Sequence, residues 1–377
     1  MKTVKTVVFL SNFFNHHQKP FADAMYEKLG EGFTFIETIP MSQERINMGW
    51  ALESVPSYVV GVNELNSRKK EYEALINEAD VVIFGNAPYE LVKHRIRANK
   101  LTLRYSERIF KRGLEPWKYL LRLIRLHWMY PQNKNVHLLC ASAYAAEDYS
   151  KFFLFKKRSY KWGYFPTTKR YTDIDRLIED KNKNSIIWVA RYLPWKHPEI
   201  AVEMARRLKN AGYQFELNMI GNGRLLEKTQ EMVRQQGLED VVHIVGAVPP
   251  EEVRWYMERS EIHIFTSDQN EGWGAVLNEA MNSACVPVAN RNIGSAPYLL
   301  QDGVNGCCYS QVEELYDRVK SLLDSPKKRK DMAKAAYKTI MEEWNAEIAA
   351  ERLLLLSETI LRQETNTIQK GCCSYAK

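Results

Sequence analysis

Glu271 and Glu279 stand eight residues apart in the stretch 270–281, NEGWGAVLNEAM. At about 100° and 1.5 Å per helical residue, eight steps return to within roughly 80° of the start after a rise of about 12 Å. One acid then lies in a loop ahead of a helix and the other two turns down a similar face. Carboxylates so placed can accept hydrogen bonds from two sets of hydroxyls on one long ligand, while the unpaired N–H groups of a helix start between them favour an anion. Gly272 and Gly274 let the backbone come close. The ligand suggested is hydroxylated at both ends and anionic in the middle, as a nucleotide sugar is. The spacing alone fits an ordinary loop-to-helix turn with solvated glutamates equally well.

Other residues of the second half point to an anion. Arg191 and Lys196 lie five apart, after a strand-like run and ahead of a helix opened by Pro198. A guanidinium fork and an ammonium at one sheet edge can reach a single phosphate group. Gly221-Asn222-Gly223 follows another strand end and offers a further close-approach backbone. In the first half the polar loop after the first strand carries Asn15, His16 and His17. Adjacent histidines do not readily face one ion, so a diphosphate or an acceptor hydroxyl is the better partner; a loop closed by local hydrogen bonds is the alternative. The six cysteines form no CxxC, so neither zinc nor a disulfide framework is expected.

These residues need elements to position them, and the apolar pattern supplies an alternation. Strand patterns are read at 6–10, 34–36, 58–60, 81–84 and 136–139, with helical patterns at 20–29, 68–78, 88–98, 117–128 and 143–151. After a charged stretch at 156–183, read as a linker, strands recur at 185–189, 215–220, 241–245, 262–265 and 286–289. The helices among them are 198–210, 224–236, 250–259 and 274–283, and three more close the chain at 312–323, 326–342 and 346–361. Alternating strands and helices predict an α/β class with two successive parallel sheets.

A chain of 377 residues is long enough for two cores. No run nears the roughly 18 apolar residues of a membrane span, and the apolar run at 7–10 is too short for a signal peptide. A cytoplasmic protein, peripheral on the inner face of the membrane, is expected. The net charge of +7 is uneven: between Lys93 and Arg125 eleven Lys or Arg stand against Glu107 and Glu115, interleaved with Trp117, Leu120, Leu121 and Ile124. Such a segment suits an anionic membrane surface, although a solvated basic helix face reads the same way. No nucleic-acid recognition motif accompanies it.

The second half resembles the retaining GT-B glycosyltransferases of the family-four group. The resemblance is carried by ARYLPWK (190–196), IGNG (220–223), VHIVGAV (242–248), NEGWGAVLNEAM and DGVNG (302–306). It implies an α/β GT-B architecture of two Rossmann-like domains facing each other across a cleft. The expected boundaries are 1–165 for an acceptor domain, 166–345 for a donor domain, 346–365 for a helix crossing back to the first, and 366–377 for a flexible tail. It implies a metal- and cofactor-free enzyme moving a sugar from a nucleoside-diphosphate sugar, uridine expected over guanosine, to a glycan or lipid-linked acceptor of cell-surface polysaccharide. Arg191 and Lys196 would neutralise the leaving diphosphate and Glu271 would meet the transferred sugar. Glu279 would hold the ribose and the backbone at Ala247 and Val248 the base, with Gly221, Asn222, Gly223, Gly272, Trp273 and Gly274 completing the donor site. Departures are Trp273 where the family has phenylalanine, Ala284 where it has glycine, and Asn15-His16-His17 in place of a glycine pair. An epimerase of the same architecture and a polyanion-binding α/β protein are the rival readings.

Overall fold

The computed structural model describes residues 3–47, 52, 54–111, 113 and 116–377. Contacts divide the chain into two units, one of residues 1–167 with 345–377 and one of residues 168–344. The first is built on a seven-stranded sheet: β1 (Val7–Ser11), β2 (Phe33–Glu37), β3 (Val59–Val60), β4 (Val81–Phe84), β5 (Thr102–Ser106), β6 (Val136–Cys140) and β7 (Ser159–Lys161). The strands run parallel in the order β3-β2-β1-β4-β5-β6-β7. The central runs VVFLS, VVIF and VHLLC are buried along their whole length, as parallel strands covered by helices on both faces must be.

The second unit has β8 (Ser185–Val189), β9 (Glu216–Ile220), β10 (Val242–Gly246), β11 (Ile262–Phe265), β12 (Val286–Asn290) and β13 (Cys307–Tyr309). They are parallel in the order β10-β9-β8-β11-β12-β13. Prolines open the helices Pro198–Asn210, Pro250–Arg259 and Pro326–Glu343, where a missing N–H costs nothing and the fixed φ is already helical. In both sheets the connections run outward one way and then the other, reversing between β1 and β4 and between β8 and β11. In open α/β sheets ligands bind at the strands' carboxyl ends beside such a reversal.

The structure corrects several expectations. The basic segment 93–125 is not one amphipathic run, because β5 crosses its middle and its cations divide between interior and surface. Arg95 is buried, donating to the carbonyls of Ile76 (2.9 Å), Ala79 (2.6 Å), Asp80 (3.0 Å) and Leu101 (2.6 Å), and burial lowers its pKa to about 10. Arg104 donates to the carbonyls of Phe84 and Gly85, and Arg108 pairs with buried Asp148 at 3.6 Å. Lys93, Lys100 and Lys111 pair with Glu90, Glu78 and Glu107, and the helix Pro116–Met129 carries Lys118, Arg122 and Arg125. Arg112 and Glu115 lie outside the described residues.

The stretch 156–183 is not all linker: Ser159–Lys161 is the edge strand β7 and Ile174–Glu179 a helix of the second unit. A three-residue strand is too short to show a period. The tail 366–377, expected to be flexible, is ordered against that edge. Cys372, Cys373 and Ser374 are buried, Tyr375 bridges Tyr160 in antiparallel sense, and Lys161 and Cys373 exchange backbone bonds with Ser374 (2.8 Å) and Lys161 (2.7 Å). The tail thereby covers N–H and C=O groups that an edge strand would otherwise leave open. The helix Ala346–Leu361 packs on Lys19–Leu29 within the first unit, and its Glu358 accepts from the Val4 amide at 3.2 Å.

Candidate active site

Residues following four adjacent strands of the second unit converge on one sheet edge. Residues 190–196 leave β8, 221–223 leave β9, Ala247 and Val248 leave β10, and 266–274 leave β11. Because these strands are parallel and neighbouring, every loop emerges on the same side.

The loops after β8 and β11, which flank the reversal, are joined at several points. Thr266 Oγ1 accepts from buried Trp188 Nε1 at 2.8 Å and donates to the Lys196 carbonyl at 2.5 Å. The Asp268 amide donates to the Trp195 carbonyl at 3.0 Å. His197 bonds Glu199 at 2.7 Å through Nδ1 and Asp268 at 3.2 Å through Nε2. The Lys196 ammonium pairs with the Glu271 carboxylate, and the two side chains keep only 12% and 15% of their surface exposed. Lys196 is therefore fixed by its own backbone, by a neighbouring strand and by an acid, and its ammonium lies 5.7 Å from the Phe265 ring centroid.

The local sequence explains this geometry. The single 3₁₀ turn Pro194–Lys196 ends on His197, whose φ of 49° is left-handed, and Pro198 then starts the next helix. Gly274, at φ 83°, leaves no room for a side chain: a Cβ there would lie 2.6 Å from the Phe265 ring and 3.2 Å from Glu271 Cγ. Gly221 and Gly223 are similarly obligatory, since a Cβ would approach the Ala190 carbonyl oxygen at 2.0 Å and that of Tyr192 at 2.6 Å. These glycines let the loops after β8 and β9 touch backbone to backbone, with Tyr192 N donating to Asn222 O at 2.9 Å, and let Gly221 N reach Gly246 O at the end of β10 at 2.7 Å.

Each expected site residue takes a definite place. Lys196 and Glu271 are in contact. Arg191 is exposed and its guanidinium has no partner among the described residues, so the two cations share an edge without a common contact. Glu279 lies in the helix Val276–Asn282; desolvation raises its pKa while the nearby Arg254 opposes the rise, yet the residue keeps part of its surface open. A desolvated carboxyl with an open side is placed to take up hydroxyl donors. Arg254 is held on this helix by Asn282 Oδ1 and Ser283 Oγ, both at 2.9 Å. Ala247 is exposed and Val248 half-buried, while Gly272 is buried and Asn222 accepts from the Gly223 amide at 2.7 Å.

Trp273 departs from its expected role. Its side chain is 1% exposed, donates to Asn278 Oδ1 at 2.9 Å and packs 5.7 Å from Trp344. An indole so enclosed fixes the loop from beneath and has no face for a donor. The sequence reading also missed Thr266, Asp268, Arg254 and His197. Their signal was weak, because an isolated polar residue after a strand is common in any α/β protein.

In the first unit the loop after β1 is closed by Asn15. Its carbonyl accepts from Gln18 and Lys19 at 3.0 Å each, and its Oδ1 from the His17 amide at 2.9 Å. The His16 and His17 rings lie 3.9 Å apart. Burial, with His16 adding to it, lowers the pKa of His17 to about 3, so this imidazole is neutral at physiological pH and offers a hydrogen bond instead of a charge.

Comparison with known proteins adds a family to this geometry. Residues 170–339 match the sequence model of the glycosyl transferases group 1 family. The amylovoran biosynthesis glycosyltransferase AmsK of Erwinia amylovora is 32% identical over 126 residues, covering 32% of this chain and 31% of that protein. The alpha-D-kanosaminyltransferase of Streptomyces kanamyceticus is 25% identical over 170 residues, or 45% of this chain and 44% of that one. The chain thus matches less than half the length of these relatives. Among solved structures, Anabaena HepE in complex with UDP is similar with a TM-score of 0.69 at 13% identity, over 95% of this chain and 100% of its own. WaaG, a glycosyltransferase involved in lipopolysaccharide biosynthesis, gives 0.62 at 13% identity over 92% and 98%. The two parallel sheets are accordingly those of a GT-B fold, and residues 170–339 of the second unit carry the match to the glycosyl transferases group 1 family.

Proposed function

We propose that this protein is a retaining, metal-independent glycosyltransferase that moves a sugar from a nucleoside-diphosphate sugar to a glycan or lipid-linked acceptor in polysaccharide synthesis. The observation that carries the reading is the meeting of Lys196 and Glu271 at the reversal between β8 and β11, with exposed Arg191 and open-sided Glu279 on the same edge. Relatives named for amylovoran and colanic acid biosynthesis support the polysaccharide setting, and neighbours solved with UDP and with UDP-glucose support a uridine donor.

In this reading the bond between the sugar's C1 and the diphosphate oxygen breaks, the acceptor hydroxyl oxygen bonds to C1, and its proton passes to the departing phosphate. Lys196 has three donors, so it can keep Glu271 while meeting the phosphate, and Arg191 adds a fork. A donor aimed at charge that grows in the transition state contributes about 3 kcal/mol. Glu271 accepts from the transferred sugar's hydroxyls and Glu279 from the ribose. The acceptor lies against the first unit, where the loop of Asn15, His16 and His17 offers it hydrogen bonds, and an anionic membrane surface supplies it when it is lipid-linked.

The test is a panel of nucleotide sugars scored by released nucleoside diphosphate, with EDTA present. Glu271→Gln is expected to lower kcat about a hundredfold while UDP binding by calorimetry stays within a few fold. Glu279→Gln should instead weaken UDP binding about tenfold, an effect of the size of one lost charge-assisted hydrogen bond. The reverse pattern overturns the assignment, and no release from any donor overturns the enzyme. Conversion of the donor's sugar without any acceptor would identify an epimerase.

A further inference from the structure

The helix Pro116–Met129 is amphipathic the wrong way round for a helix of a protein surface. At about 100° per residue, Trp117, Leu120, Leu121, Ile124 and Trp128 fall on one stripe roughly 100° wide. An apolar stripe normally faces the core. Here it faces outward, each of the five side chains being more than half exposed, from Trp128 at 52% to Trp117 at 73%. The opposite face holds the helix in place: Tyr119 Oη donates to the Lys151 carbonyl at 2.6 Å, the His127 ring meets the Phe152 carbonyl at 2.8 Å, and Tyr119 stacks on Phe152 at 5.1 Å.

The charge carried by the helix itself has one sign, and the neighbouring acids Glu90 and Glu147 are paired with Lys93 at 3.0 Å and Lys151 at 3.1 Å. Lys118, Arg122 and Arg125 occupy a flank beside the stripe, and no Asp or Glu occurs from Pro116 to Ala146. Lys118 and Lys93 lie over the Trp117 and Trp128 rings, at 4.3 and 5.6 Å from their centroids, so each end of the stripe pairs an indole with an ammonium.

A second feature adjoins it. The segment contacted by Tyr119 and His127 continues into Phe153, Phe155 and Lys157, all left-handed at φ 58°, 56° and 59°. Phe153 is held in that conformation by its amide bond to Ser150 O and by Gln132 donating to its carbonyl, both at 2.8 Å. Its ring is thereby turned into solvent at 69% exposure, next to the exposed ammonium-bearing residues Lys156 and Lys157. A bulky residue in the left-handed region is strained, and here the strained backbone sets out an aromatic ring instead of burying it.

We propose that the helix Pro116–Met129 and the Phe153 loop form a monotopic membrane-binding surface for an anionic bilayer. The stripe of Trp117, Leu120, Leu121, Ile124 and Trp128 enters the acyl boundary while Lys118, Arg122 and Arg125 sit at the phosphates. Tryptophans at both ends, a basic flank and a helix free of acids match the chemistry of the bilayer interface. No described helix is long and apolar enough to cross a membrane, so this one lies on the surface. The proposal narrows the membrane contact of the proposed function to these residues and does not rest on the donor chemistry.

The full-length chain is tested by cosedimentation with vesicles of phosphatidylcholine alone and of phosphatidylcholine with phosphatidylglycerol. Wild type should pellet with the anionic vesicles and release as salt rises. Leu120→Glu/Ile124→Glu should abolish pelleting with its melting temperature unchanged, and Phe153→Ser should weaken binding several-fold. The triple change Lys118→Gln/Arg122→Gln/Arg125→Gln should weaken anionic-vesicle binding on the order of a hundredfold, at about fivefold per cation. Failure of wild type to pellet, or pelleting of Leu120→Glu/Ile124→Glu like wild type, overturns the proposal. So does sedimentation velocity showing a wild-type dimer that this variant converts to monomer, which would make the stripe an interface between copies. Nucleoside diphosphate release to a water-soluble acceptor is read in parallel: its loss with vesicle binding intact counts against the transferase reading and leaves this one standing.

Discussion

His197 joins the two loops that carry Lys196 and Glu271, so its charge bears directly on the candidate site. The hydrogen bond it donates to Glu199 raises its pKa most, burial opposes this and Asp268 adds to it, while Lys228 acts on Glu199 from the next helix. A histidine whose pKa rises on folding contributes stability that is fully present below its unfolded value of about 6.5. That contribution is lost as pH climbs through the folded value. The melting-temperature advantage of wild type over His197→Gln should accordingly shrink between about pH 6 and pH 9. Scanning fluorimetry across that range checks it; an advantage that is constant or grows with pH would show that the imidazolium is not what holds the loops.

At the scale of elements, Ala284 accounts for a local departure from the family pattern. The helix Val276–Asn282 ends at Ser283, after which Ala284 adopts φ 54°, and the Cys285 amide returns to the Ala280 carbonyl at 2.9 Å. Glycine is the usual residue at such a helix end, because its left-handed backbone carries no Cβ penalty. Ala284 bears that penalty, about 1–2 kcal/mol. It is fully buried, so its methyl returns about 0.8 kcal/mol. Relief of strain outweighs the loss of the methyl's burial. Ala284→Gly should therefore gain up to about 1 kcal/mol in urea unfolding with m unchanged, and a loss would show that the methyl's packing dominates.

For the whole molecule, the two units have different chemistry at their sheet edges. The second presents cations and carboxylates, and the first presents the neutral His17 imidazole beside the Asn15 turn. A donor that engages the second unit should be visible as local protection from exchange. With UDP at about a hundred times its Kd, the folded state gains about 2.7 kcal/mol. Amide hydrogen exchange of the full chain should slow most at 190–197, 221–223 and 266–280, beyond the general slowing that this stabilisation gives amides exchanging by global unfolding. Protection confined to residues of the first unit would reassign the nucleotide.

Most strands and helices are legible in the chain alone, because a fully buried parallel strand such as VVFLS or IHIF is an apolar run bounded by polar turns. The family resemblance is carried by the glycines 221, 223 and 274, whose backbones admit no side chain, and by the charged residues that follow the strands. The sequence could not show β5 and β7, since Arg104 and the brevity of 159–161 mask the strand pattern. Tertiary structure alone decided which charges meet. Lys196 pairs with Glu271 across a separation of 75 residues because β8 and β11 are neighbours. It also sent Arg95 and Trp273 inward, turned the stripe from Trp117 to Trp128 outward and paired the tail with β7. Burial and pairing are properties of the assembled sheet, and neighbours in space that lie far apart in sequence leave no local pattern to read.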